Sequence, residues 1–72
     1  MDFEEMVTPI ADSLKARGFL VGGIAVNSFW VCQPPAYGDA LSLRPRALRE
    51  AHANNRLAEY VETEIAIWLL TR

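Results

Sequence analysis

Apolar residues recur in the first stretch of the chain at Phe3, Val7, Ile10 and Leu14, spacings that place them on one face of a helix from Asp2 to Arg17. Asp2, Glu4 and Glu5 lie in its first turn and Lys15 and Arg17 in its last, which complements the helix dipole, and Gly18 supplies a stop. Pro9 interrupts this pattern. Within a helix it removes a hydrogen bond and costs about 3 kcal/mol, so a start at Thr8, with Pro9 as first helical residue, is the alternative.

The most apolar stretch follows, "FLVGGIAVNSFWVC" from Phe19 to Cys32. Phe19, Leu20 and Val21 lead into Gly22-Gly23, and Ile24, Ala25 and Val26 lead out. This is the signal of a two-residue β-hairpin turn, because a type I′ turn needs positive φ at both central positions. Phe29, Trp30 and Val31 extend the second strand, although Asn27 and Ser28 leave residues 24–32 open between strand and helix. Pro34 and Pro35 end it, and "QPPAYGDALSL", Gln33 to Leu43, reads as a connector.

From Pro45 to Thr71 no further proline or glycine occurs. Ala47, Ala51, Asn54, Ala58, Val61, Ile65 and Trp68 alternate at spacings of four and three, the seam of one long packed helix in which Asn54 sets the register. Ile65 to Leu70 are consecutive apolar residues, so that end of the helix is apolar on every side. The expected fold is α+β in a single small domain, residues 1–72: an N-terminal helix, a short β-hairpin, a connector and a long C-terminal helix.

Composition adds a reason for self-association. A chain of 72 residues keeps only about 3 to 5 kcal/mol from one core. Its single cysteine excludes an intrachain disulfide, and one histidine with one cysteine cannot furnish a structural zinc site. The remaining support is a helix-mediated homodimer, paired through Ala51, Asn54, Ala58, Val61, Ile65 and Trp68. The start of the chain is acidic where a secretory signal is basic, and no apolar run reaches the about 20 residues that span a bilayer, so a cytoplasmic protein with no membrane partner is expected.

Candidate chemistry is sparse. Gly22-Gly23 has no third glycine and no basic residue before Arg44, so it makes a poor phosphate cradle. No nucleophile or carboxylate is spaced to work with His52, which reads as structural, and Cys32 reads as a small buried hydrophobe. No catalytic residue, metal ligand or cofactor is expected. Arg44, Arg46, Arg49 and Arg56 form the only basic patch between acidic flanks, and Tyr37 in the connector is a candidate contact residue. The net charge of −2, with no lysine or interleaved aromatic in the patch, favours an acidic protein surface over nucleic acid as its partner.

These features predict a non-catalytic binding module. It would be an adaptor or inhibitor of a larger protein, of the size that small accessory genes of phage type encode. A small DNA-binding transcriptional regulator is the second reading. The third rests on "FLVGGIAVNSFW", which resembles the opening of nucleotidyltransferase domains of the DNA polymerase β type, where a strand runs into Gly-Gly, a short helix follows and paired carboxylates bind two metal ions. The similarity covers about a dozen residues. Asp39 falls near the position of one carboxylate and Leu41 occupies that of its partner, so the resemblance implies a degenerate module lacking the metal pair.

Overall fold

Helix α1 spans Phe3–Ala16 in the computed structural model, which describes residues 2–34 and 39–71. Asp2 caps it, its carboxylate accepting from the Glu5 amide at 2.8 Å. The helix runs through Pro9 rather than starting there. Pro9 lies on the exposed side, while Met6 and Val7 before it and Ala11 and Leu14 after it are buried, so packing on both sides carries the helix across the missing bond. Gly18, at φ 95°, ends it. The Gly18 amide donates to the Lys15 carbonyl and the Phe19 amide to that of Leu14, at 3.0 and 3.1 Å, a Schellman motif.

Three strands follow, β1 (Leu20–Gly22), β2 (Phe29–Cys32) and β3 (Ala40–Leu43), in one antiparallel sheet of order β1-β2-β3. The expected hairpin joins β1 to β2, but its turn is wider than two residues. Gly23 has φ 85°, Ile24–Val26 form a 3₁₀ turn instead of leading out as strand, and Asn27 is left-handed at φ 55°. The Gly23 carbonyl closes this loop by accepting from the amides of Val26 and Ser28 at 3.1 and 2.9 Å. Gly22 is needed for another reason: it pairs with Trp30, whose ring lies where a Cβ at Gly22 would be.

The third strand corrects the connector. Leu41 and Leu43 alternate with Ala40 and Ser42, and they pair with Val31 and Phe29 of β2. Period-two alternation over only four residues is a faint signal beside prolines and a glycine. Along the registers, Val21, Phe29, Val31, Leu41 and Leu43 share the core-facing side of the sheet. Its outer side carries Leu20, Gly22, Trp30, Cys32, Ala40 and Ser42, with no charged residue among them.

The long C-terminal helix is also corrected. It is two helices, α2 (Pro45–Ala53) and α3 (Leu57–Leu70). The break is a second Schellman motif with asparagine where α1 has glycine. Asn55 is left-handed at φ 56°, its amide donates to the His52 carbonyl at 3.0 Å, and the Arg56 amide donates to that of Ala51 at 2.8 Å. Asn54 caps α2, its side-chain amide donating to the Glu50 carbonyl at 3.0 Å.

No continuous seam therefore exists. In the single chain Asn54 and Ala58 are exposed and Ala51 is half-buried, and Asn54 stands at the cap of α2 rather than within a helix. Val61, Ile65 and Trp68 are buried by the chain itself, in one core with Phe3, Val7, Leu14, Phe29, Val31 and Leu48. The chain's own core thus takes up Val61, Ile65 and Trp68, and of the apolar end Ala66, Ile67, Leu69 and Leu70 stay exposed.

Candidate functional site

Helix α2 places the arginines. Leu48 is its fully buried anchor, so Arg46 and Arg49, one turn apart, are both exposed on the outward side. The Arg49 guanidinium stands 5.5 Å from the centre of the Phe3 ring, which ties this face to the start of α1. Arg44 is the residue before α2 and acts electrostatically on Tyr60 of α3. Tyr60 is held above its ordinary pKa, chiefly by burial and then by the negative charge of Glu64, with Arg44 pulling the other way. Arg56 stands at the N-terminal boundary of α3, exposed. The four arginines thus occupy three places: the outward face of α2 and its two ends. Tyr37 lies outside the described residues.

Helix α3 presents a different surface. Glu59, Glu62, Thr63, Ala66, Ile67 and Leu70 are exposed along it, acidic in the first half and apolar in the second. Leu70 is 85% exposed and Ile67 52%. Glu62 forms an ion pair with Arg17 at 2.5 Å, and Arg17 also lies 5.4 Å from the centre of the Phe19 ring, which clips the end of α1 to α3. Both partners are about half exposed, so the pair contributes at most about 1 kcal/mol.

The remaining candidates can be placed from the same geometry. His52 is exposed in the last turn of α2, and Cys32 is buried on the outer side of the sheet. Among the described residues no group of three or more His, Cys, Asp or Glu side chains is arranged to hold a metal ion, and there is no pocket. Asp39 stands just before β3, while Leu41 points to the core-facing side, and the Gly22-Gly23 turn leads into a three-residue 3₁₀ turn. No helix of the described residues is long and apolar enough to cross a membrane. No protein-family model, curated protein or solved structure matches the chain.

Proposed function

We propose that the chain is a small non-catalytic protein-binding module, acting in the cytoplasm as a homodimeric adaptor or inhibitor of a larger protein. The observation that carries this reading is the outward face of α2, where Arg46 and Arg49 stand exposed one turn apart. Two arginines fixed on a rigid helix suit planar, bidentate contacts with carboxylates on an acidic protein surface. Arg44 and Arg56 extend the positive charge to the two ends of the helix, and Tyr37 is kept as a further contact residue.

Nucleic acid is the weaker alternative on electrostatic grounds. The α2–turn–α3 unit has the outline of a helix-turn-helix, but its second helix carries Glu59, Glu62 and Glu64 and no basic residue, which would face the phosphates with like charge. The nucleotidyltransferase-like reading has Asp39 with Leu41 at the second carboxylate position.

The test is capture of partners from the source cell with tagged wild type and with the Arg46→Glu/Arg49→Glu variant, each before and after nuclease treatment. The expected result is a protein retained through nuclease treatment and lost in the variant, whose circular dichroism and mass match wild type. Tight, strongly salt-dependent binding of wild type to duplex DNA would overturn the reading.

A further inference from the structure

We draw no further inference here: the strongest candidate, the apolar patch of Ala66, Ile67 and Leu70 on the exposed side of α3, is an unpartnered helix face and nothing in the structure shows what covers it.

Discussion

At the scale of single residues, backbone handedness explains most of what the hydrophobic pattern did not reveal. An uninterrupted helix from Pro45 was expected because asparagine is not a breaker by composition, yet Asn55 adopts the left-handed conformation that a Schellman motif requires. Asparagine pairs at a helix end were the available signal. Left-handed geometry costs a residue with a Cβ about 1 to 2 kcal/mol, less for asparagine. Asn55→Gly should therefore raise the melting temperature and Asn55→Val lower it by several degrees, as calorimetry would show. Gly22 and Gly23 separate in the same way. Gly23→Ala strains a positive φ, whereas Gly22→Ala drives a methyl group into the Trp30 ring and should cost about 1 to 3 kcal/mol as an overpacking change. Gly22→Ala should be partly rescued by Trp30→Val, measured as the coupling in a double-mutant cycle.

Tyr60 gives a pH prediction at this scale. Its folded pKa lies above the unfolded value of 10.0, so the folded state holds the phenol proton more tightly. Its contribution to stability is complete below pH 10 and is lost as the pH rises through the folded pKa. Urea titrations at increasing alkaline pH should show a steeper fall for wild type than for Tyr60→Phe. Equal slopes would mean that Tyr60 titrates alike in both states.

At the scale of elements, helix α1 was legible because its signals agree: a capping aspartate, acids first, bases last, an apolar face and a glycine stop. Pro9 was the doubtful position, and tertiary packing decided it. Pro9→Ala restores a backbone donor to the Glu5 carbonyl on the exposed side and should stabilise the protein by about 1 kcal/mol or more, with denaturant midpoint as the measure. The hairpin was legible in its pairing but not in its turn, since Ile24 to Val26 are good strand formers that the Gly23 carbonyl draws into a 3₁₀ turn. Strand β3 escaped notice because its partner residues lie eight to fourteen positions back along the chain, and local composition says nothing of that pairing. The arginines of α2 were legible as a charged run. Their division into an outward pair and two end positions needed the burial of Leu48 to fix the helix phase.

At the scale of the whole molecule, so short a chain with one long helix would leave its core incomplete, and the break between α2 and α3 changes that. Folding α3 back against α2 lets one chain bury Val61, Ile65 and Trp68 with Phe3 and Phe29. Truncation in that core remains severe. Ile65→Asp should unfold the chain, since a buried unpaired charge adds to the lost packing and exceeds the few kcal/mol available. Under the proposed function, the outward face of α2 is the surface offered to a foreign protein. The measurement that tests this reading most directly is photo-crosslinking in the source cell, with a photoreactive residue at position 46. Position 46 is expected to give a nuclease-resistant adduct with a larger protein. Nucleic-acid adducts there, or no adduct, would contradict the proposed function.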